Sequence, residues 1–332
     1  MRMTRIVATL SLLSVLSVLS LLAACGQDPA TPAVDSSAAA AVPRPLNVQD
    51  PAEMPSPPAT SPPACDPRAS LRPPASLPQP GKMPAGSAMA KIVERGRLIV
   101  GIDQNAYLTS YRDPITGQVV GFEIDLAREI ARALLGNPDA IQWRAITTAD
   151  RIPVLQRREV DMVIRTMTAT CERMQQVAFS TEYLTSAQRL LVNRNSGIKD
   201  FADLAGRKVC ATRGSTSIVT IMKQPSKPIA VSTDSTLDCL VLLQQGQVDA
   251  VSTVDVLLLG LAAQDPNTEV VGASVSDEPS GVAMPLDTPE LVRFVNGVLD
   301  RIRANGTWTR IYGQWFAKYG PVPAPPPAKY RD

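Results

Sequence analysis

One nine-residue pattern occurs twice in this chain and limits its possible folds more than any other feature. Residues 155–163 read LQRREVDMV and residues 243–251 read LQQGQVDAV, so both copies match LQxxxVDxV. Each copy ends a helical pattern and begins a short apolar run that is typical of a strand. Two copies at the same point in the order of helices and strands predict two similar α/β units.

The sequence around each copy predicts the elements of two open sheets. For the first unit we expect strands at 97–102, 117–122 and 160–164 and helices at 125–135 and 149–156. For the second unit we expect helices at 200–206 and 235–245 and strands at 207–212 and 248–252. Sheets of mainly parallel strands bind ligands at the carboxyl ends of the strands. A ligand is therefore expected between the two units.

The two ends of the chain differ in composition from the rest. Residues 1–25 contain two arginines, a long apolar run and the sequence LAAC, which is the layout of an export signal with a lipobox. Cys25 is then predicted to carry lipid on the extracytoplasmic face of the cell membrane, and a transmembrane anchor is the alternative. Residues 26–90 are rich in Pro and Ala and are predicted to be a spacer, while residues 321–332 form a Pro-rich tail.

Charge and histidine content exclude several classes of function. Loss of Arg2 and Arg5 with the signal reduces the 33 basic residues to 31, which equals the number of acidic residues. The mature chain therefore has no basic excess with which to bind nucleic acid. The chain contains no histidine, so we expect no Ser-His or Cys-His catalysis, no metal site and no cofactor.

The four cysteines that remain after Cys25 are an even number in a compartment where disulfides persist. Cys210 and Cys239 are predicted to pair because they are close in sequence and lie on neighbouring elements of one unit. Cys65 and Cys171 then pair by elimination. Two free buried thiols are the alternative.

The residues after the first copy suit an anion. Thr170 fits as the N-cap of a helix that starts at Cys171, which would direct free N–H groups and the positive end of a helix dipole at the end of the strand. Arg173 adds a guanidinium that can hold a carboxylate with two hydrogen bonds. Taken alone, the same stretch also fits an exposed arginine on a capped helix.

Four motifs carry a resemblance to a known family: VGFEIDLAREIARAL, RIPVLQRREVDMVIRTMTATCERMQQVAFSTEYL, GIKDFADLAGRKVCATRGSTS and VRFVNGVLDRIRANGTWTRIYGQWF. Over residues 91–320 the chain resembles extracellular solute-binding protein family 3, the polar amino-acid-binding proteins of ABC importers. Its likeness is greatest to the actinobacterial glutamate/glutamine-binding branch named GlnH or GluB. The resemblance implies a two-lobed type II periplasmic-binding-protein fold with two crossover strands. Lobe 1 would comprise residues 91–186 and 281–320, and lobe 2 residues 187–280.

The resemblance also implies ligand contacts. Thr166, Thr168 and Arg173 would hold an α-carboxylate, which agrees with the anion site expected from the residue types. The contacts expected from the glycine turn of lobe 2 are Gly214, Ser215 and Thr216. One departure concerns the ammonium partner, because Val254 stands where the family usually has an aspartate. We expect Asp255 to replace it with help from Thr253; a helix N-cap is the alternative for Asp255, and a different amine site or ligand stays open.

A dicarboxylic ligand would need a second cation, for which Arg213 is the leading candidate. The alternatives are Arg165 and Arg144, and each of the three also suits a solvated surface. Asp103, Gln104 and Tyr107 lie where the family has a loop over the ligand. Tyr107 is expected to pack on the aliphatic part of the ligand, or to be an ordinary loop aromatic.

These features together predict a monomeric, lipid-anchored protein that binds glutamate, aspartate or their amides. It would deliver the ligand to an ABC permease by hinge closure, without catalysis. A sensor that reports amino-acid supply to a membrane receptor is an alternative. Two further alternatives are a lyase of the cyclohexadienyl-dehydratase type, with Asp103, Glu182 or Asp255 as acid or base, and a ligand-free envelope adaptor.

Overall fold

Lobe 1 is built on a five-stranded mixed sheet. The computed structural model describes residues 42–53 and 64–332. The strands of lobe 1, in spatial order, are β6 (Ile141–Ala145), β2 (Leu98–Ile102), β7 (Met162–Val163), β14 (Ala283–Pro285) and β8 (Val177–Phe179). β2 is parallel to β6 and β7, whereas β14 is antiparallel to β7 and β8. The first copy of the repeat therefore ends in the central strand of this sheet.

Lobe 2 has a sheet of the same size and plan. Its strands, in spatial order, are β11 (Ile229–Thr233), β10 (Lys208–Thr212), β12 (Ala250–Val254), β9 (Gln188–Asn193) and β13 (Thr268–Val271). β10 is parallel to β11 and β12, and β9 runs antiparallel between β12 and β13. The second copy of the repeat also ends in the central strand of its sheet.

Eight α-helices lie in the described part of the chain. They are α1 (Ala88–Arg95), α2 (Phe122–Leu135), α3 (Arg151–Gln156), α4 (Thr216–Met222), α5 (Thr236–Gln244), α6 (Asp255–Ala262), α7 (Pro289–Ala304) and α8 (Thr307–Phe316). In α2 the predicted apolar stripe is buried: Leu126 and Ile130 are fully inaccessible to solvent. These helices cover the sheets and bury their apolar faces, which is the main source of stability of such layers.

The strand predicted at 117–122 is shorter than expected, because α2 begins at Phe122. Only β5 (Val119–Val120) forms, as the last strand of a small antiparallel sheet with β3 (Asn105–Ala106) and β4 (Ser110–Arg112). Gly121 ends it with a φ of 138°, and a Cβ there would lie 2.3 Å from the carbonyl oxygen of Thr109. Only glycine fits this tight turn into the helix.

Two extended segments, residues 180–187 and 272–282, connect the lobes and lie side by side. Leu184 pairs with Ser280 in an antiparallel bridge, and Ala187 pairs with Asp277. The predicted two-lobed α/β fold with two crossovers is therefore confirmed. The two connections between the lobes therefore lie next to each other.

Part of the predicted spacer is packed against the lobes, which corrects that prediction. β1 (Ala69–Ser70) pairs in parallel with β15 (Lys329–Tyr330) from the Pro-rich tail. Ser70 is 1% exposed. Residues 26–90 are therefore not a spacer throughout, because a Pro-rich chain held in extended conformations can also lie along a protein surface. We call residues 44–53 and 64–72 the N-terminal strap.

No helix in the two described ranges has both the length and the apolar content that crossing a bilayer requires. The predicted signal segment, residues 1–25 with the lipid attachment site Cys25, lies outside the described residues.

Candidate functional site

A cavity between the lobes collects polar side chains near the carboxyl ends of strands from both sheets, where open α/β sheets bind ligands. Lobe 1 contributes Asp103, Thr148, Arg151, Arg165, Thr166 and Thr168. Lobe 2 contributes Thr212, Ser215, Thr216, Ser217, Thr253 and Val254. A polar cavity therefore lies between the two units, where the repeat predicts a ligand.

A buried ion pair forms one part of the cavity wall. Arg165 follows β7 and Asp103 follows β2, and Arg165 Nη2 lies 2.6 Å from Asp103 Oδ2. Both side chains are less than 10% exposed. Arg165 also donates from Nη1 to Thr148 Oγ1 at 2.6 Å and from Nε to the carbonyl oxygen of Ile146 at 3.1 Å. These hydrogen bonds fix the guanidinium and help to offset the cost of removing both charges from water.

Arg151 brings a second buried cation to the same wall. It is 4% exposed, and its nitrogens donate only to main-chain carbonyls. Nε lies 2.9 Å from Thr148 O, and Nη2 lies 3.3 Å from Gly214 O in lobe 2. No carboxylate of the described residues lies within ion-pair distance of Arg151. Burial, followed by repulsion from Arg173 and Arg165, lowers the pKa of Arg151 well below its usual range.

The described wall thus holds two guanidinium groups and one carboxylate. A buried positive charge that is not matched by a negative one is costly, so this arrangement favours an anionic ligand. Arg151 was not among the ligand contacts expected from the sequence. One signal was present: Arg151 is the first residue of α3, where the helix dipole disfavours a cation.

Glu123 lies fully buried behind Thr166. Its Oε1 accepts hydrogen bonds from Thr166 N at 2.5 Å, from Thr166 Oγ1 at 2.9 Å and from Tyr183 Oη at 2.5 Å. Burial raises the pKa of the Glu123 carboxyl, although the bonds from Tyr183 and Thr166 act in the opposite direction. Burial thus works against the charged form of this carboxyl.

The two predicted threonines both line the cavity, but their hydroxyls have partners within the protein. Thr166 has a φ of 43°, a left-handed conformation that is strained for a β-branched residue, and Glu123 holds it there. Thr168 Oγ1 donates to Glu278 Oε2 at 2.5 Å. Glu278 also accepts from Thr216 Oγ1 at 2.8 Å, so its carboxylate joins lobe 1 to lobe 2.

Arg173 lies beside the cavity in a neighbouring groove between the lobes. Its Nη1 donates to Thr168 O at 2.7 Å and its Nη2 to Gly214 O at 3.1 Å. The α-helix predicted to start at Cys171 is wrong, since only a 3-10 turn, Arg173–Gln175, forms there. β8 begins at Val177, which leaves no room for a longer helix or for the dipole expected from it.

The glycine turn of lobe 2 faces the cavity. Gly214 has a φ of 75°, and a Cβ there would lie 3.0 Å from Ala149 Cα of lobe 1, so the turn approaches lobe 1 closely. Ser215 is the N-cap of α4 and accepts from Ile218 N at 3.1 Å. Its hydroxyl is thereby engaged, and Thr216 and Ser217 complete the lining of this side.

The residues after the second copy divide between the cavity and the crossovers. Thr253 and Val254 line the cavity. Asp255 does not: its Oδ1 accepts from Val256 N at 2.8 Å, and its own N–H donates to the crossover residue Ala187 at 2.9 Å. Burial raises the pKa of Asp255. Asp255 is the first residue of α6, and Val254 is the N-cap.

The remaining predicted contacts lie away from the cavity lining. Arg213 donates from Nη2 to Asn47 O of the strap at 2.5 Å and lies 3.3 Å from Asp234. Arg144 is paired with Glu159 on the surface.

Tyr107 packs on Tyr111, with ring centroids 4.7 Å apart, and its carbonyl oxygen abuts Gly260 of α6. Gln104 lies in a shallow groove next to the cavity.

Both predicted cysteine pairs are joined in the structure. The Cα atoms of Cys65 and Cys171 are 5.7 Å apart, and those of Cys210 and Cys239 are 5.5 Å apart. The first pair connects the strap to the loop that carries Arg173, and the second connects β10 to α5.

The geometry of two α/β lobes around a polar cavity agrees with comparisons to known proteins. The family model of the bacterial extracellular solute-binding proteins, family 3, matches residues 98–318. The chain belongs to this family. The sequence resemblance stated above is thereby confirmed. Relatives of this chain include amino-acid-binding proteins of ABC importers.

Individual relatives are similar to this chain over most of their own length. The ABC transporter glutamine-binding protein GlnH of Bacillus subtilis is 32% identical over 69% of this chain and 84% of the relative. The glutamate/aspartate import solute-binding protein of Escherichia coli is 30% identical over 72% of this chain and 82% of the relative. The solved structure of holo ArgBP from T. maritima is 30% identical, with a TM-score of 0.62 over 69% of this chain and all of that one.

Proposed function

We propose that this protein binds an acidic amino acid, such as glutamate or aspartate, between its two lobes. The observation that carries the proposal is the charge of the cavity wall. Arg151 and Arg165 supply two positive charges, and Asp103 supplies one negative charge. A dicarboxylic amino acid has the opposite set, two carboxylates and one ammonium, so each buried charge would gain a partner.

The names of relatives leave a choice between acid and amide. The B. subtilis relative is a glutamine-binding protein and the E. coli relative a glutamate/aspartate import protein. A glutamine side chain is neutral and would leave one of the two arginines without a counter-charge in a buried wall. The charge count therefore favours the acid.

The ammonium group of the ligand needs a carboxylate. Asp103 is the candidate that we favour over Asp255, because Asp103 lies in the cavity wall and Asp255 is bonded at the hinge. On this proposal the carboxylate of Asp103 gives up part of its ion pair with Arg165 to bind the ligand ammonium. The guanidinium of Arg165 then binds a ligand carboxylate in its place.

Binding drives rotation about the two crossovers, and the closed form is recognised by the membrane permease of an ABC importer. No step is catalytic. Lipid on Cys25 would hold the protein at the outer face of the cell membrane.

The proposal is tested by a thermal-shift screen of residues 26–332 against the common amino acids. At a given concentration, a ligand of higher affinity stabilises a folded protein more, so glutamate or aspartate should give the largest increase in Tm. No stabilisation by any amino acid would reject the function, and a larger shift with arginine or lysine would reject the charge argument.

A further inference from the structure

The strap precedes the family-matched residues and lies on both lobes. Its first part, residues 44–53, extends the sheet of lobe 2 at its edge strand. Gln49 N donates to Ser232 O at 2.9 Å, and Ser232 N donates to Gln49 O at 3.0 Å. Asp50 accepts from Lys208 Nζ at 2.6 Å. These contacts attach the strap to lobe 2.

The second part of the strap, residues 64–72, is attached to lobe 1. The disulfide joins Cys65 to Cys171, and Ser70 Oγ donates to the carbonyl oxygen of Phe179 in β8 at 2.7 Å. The residues between these two anchors are therefore held against the lobe at the hinge.

Arg68 lies between these anchors and binds both crossovers at once. Its Nε donates to Glu182 Oε2 at 2.8 Å, and its Nη2 donates to both oxygens of Asp277 at 2.6 and 2.7 Å. Glu182 belongs to the crossover 180–187 and Asp277 to the crossover 272–282. The Glu182 side chain is only 3% exposed, so it depends on a cation partner that the solvent cannot replace.

The residue after Asp277 spans the opening between the lobes. Glu278 is 2% exposed and accepts from Thr168 of lobe 1, from Thr216 of lobe 2 and from Ser276 Oγ at 2.6 Å. The bonds from Thr168 and Thr216 can form together only when the lobes are closed, because the two threonines belong to different lobes. The position of Glu278 is set by the crossover that Arg68 holds.

We propose that Arg68 is a positioning residue for ligand capture. By holding Glu182 and Asp277 together it fixes the register of the two crossovers in which Glu278 bridges the closed lobes. This inference rests on the proposed amino-acid-binding function. Arg68 touches no ligand and acts through the equilibrium between open and closed forms, which determines the apparent affinity.

The first arm of the test measures glutamate binding to full-length mature protein. Arg68→Ala should weaken affinity about 10-fold, chiefly through faster dissociation in stopped-flow traces, because loss of a buried charge partner acts mainly on dissociation. Arg68→Lys should recover part of the affinity, since Lys can reach one acid but not both. The matched control is Arg72→Ala, because Arg72 lies in the same strap but its Nε donates to the carbonyl oxygen of Asp332 in the Pro-rich tail.

The second arm needs no ligand and measures backbone amide exchange with deuterium. The N–H groups of Glu278 and Ser280 donate to the other crossover, at 2.9 and 3.0 Å. Arg68→Ala should speed their exchange about 10-fold, because the register of the two crossovers that these bonds require is then held less firmly, and Arg72→Ala should leave it unchanged. The double variant Arg68→Ala/Glu182→Gln removes the unpaired buried charge and should still exchange faster.

Amide exchange at wild-type rates in both Arg68→Ala and Arg68→Ala/Glu182→Gln would overturn the inference. If the wild type binds no amino acid, the proposed function fails, but the exchange arm still decides the role of Arg68. Equal glutamate dissociation rates in wild type and Arg68→Ala would likewise overturn it.

Discussion

The two copies of LQxxxVDxV lead into equivalent central strands, but the residues after each copy have different positions relative to the cavity. After the first copy the chain turns at once into a loop, and Arg165, Thr166 and Thr168 reach the cavity. After the second copy β12 continues to Val254, and α6 begins with the next residue. The charged residues of the cavity wall, Asp103, Arg151 and Arg165, all come from lobe 1, whereas lobe 2 adds hydroxyls and apolar groups.

This difference suggests an order of events. We expect lobe 1 to bind the charges of the ligand while the cleft is open, and lobe 2 to close over it with neutral contacts. Similar scaffolds thus contribute unequally to the site, because function depends on the short stretch after each repeat and not on the repeat itself.

The largest expected effect is from removal of the unmatched cation of lobe 1. Arg151→Ala should reduce glutamate affinity by about 100-fold or more, since loss of one member of a buried charge pair costs roughly 2–5 kcal/mol. Isothermal titration calorimetry measures this loss of affinity. Arg144→Ala is the control, because Arg144 is paired with Glu159 outside the cavity. Equal losses of glutamate affinity in Arg151→Ala and Arg144→Ala would contradict the expected difference between the cavity wall and the surface.

The next effect separates the two aspartates that follow strands in the two lobes. Asp103→Asn should weaken glutamate binding by about 10-fold to 100-fold, because the ligand ammonium would lose its charged partner. Asp255→Asn should change affinity less than about 3-fold, since its carboxylate bonds backbone N–H groups at the hinge. The reverse order in a titration would restore Asp255 as the ammonium partner.

The smallest effect is on stability as a function of pH. The pKa of Glu123 in lobe 1 is raised by burial, so its contribution is fully present below its unfolded pKa near 4.5 and is lost as pH rises through the folded pKa. Glu123→Gln should remove this decline, which urea unfolding at a series of pH values would measure. If the free energy of unfolding of the wild type does not decline with rising pH relative to that of Glu123→Gln, this prediction is refuted.

Asp50, bound to lobe 2, should behave in the opposite sense. Burial acts to raise its pKa, but the bonds from Arg44 and Lys208 outweigh burial and lower it. Its contribution is therefore present above the unfolded pKa near 3.8 and is lost as pH falls through the folded pKa. Asp50→Asn should flatten the acid side of the unfolding curve and leave the alkaline side as in the wild type.

The fold was predictable because its signals are local. The periodicity around both repeats identified the central strands and the helix α2, with shifted boundaries such as that at Gly121, whereas the helix expected at Cys171 did not form. The threonines after the first repeat line the cavity because they follow a strand at the carboxyl edge of a parallel sheet, and their contact with a ligand carboxylate stays a prediction.

The rest of the site depends on contacts between distant parts of the chain. Arg151 lies beneath the glycine turn of lobe 2, and its place at the start of α3 does not show this contact between the lobes. Arg213 was expected to face the ligand, but it bonds Asn47 of the strap. The strap itself was hidden by its Pro-rich composition, which fits a free spacer and a surface-bound segment equally well.

The central claim is that the cavity wall selects a dicarboxylic amino acid by charge. Titration calorimetry of residues 26–332 with glutamate, glutamine and arginine in one buffer tests it most directly. We predict that glutamate binds at least about 10-fold more tightly than glutamine, because one unmatched buried cation costs more than 1.4 kcal/mol, and that arginine does not bind. Tighter binding of glutamine or arginine than of glutamate would contradict the account.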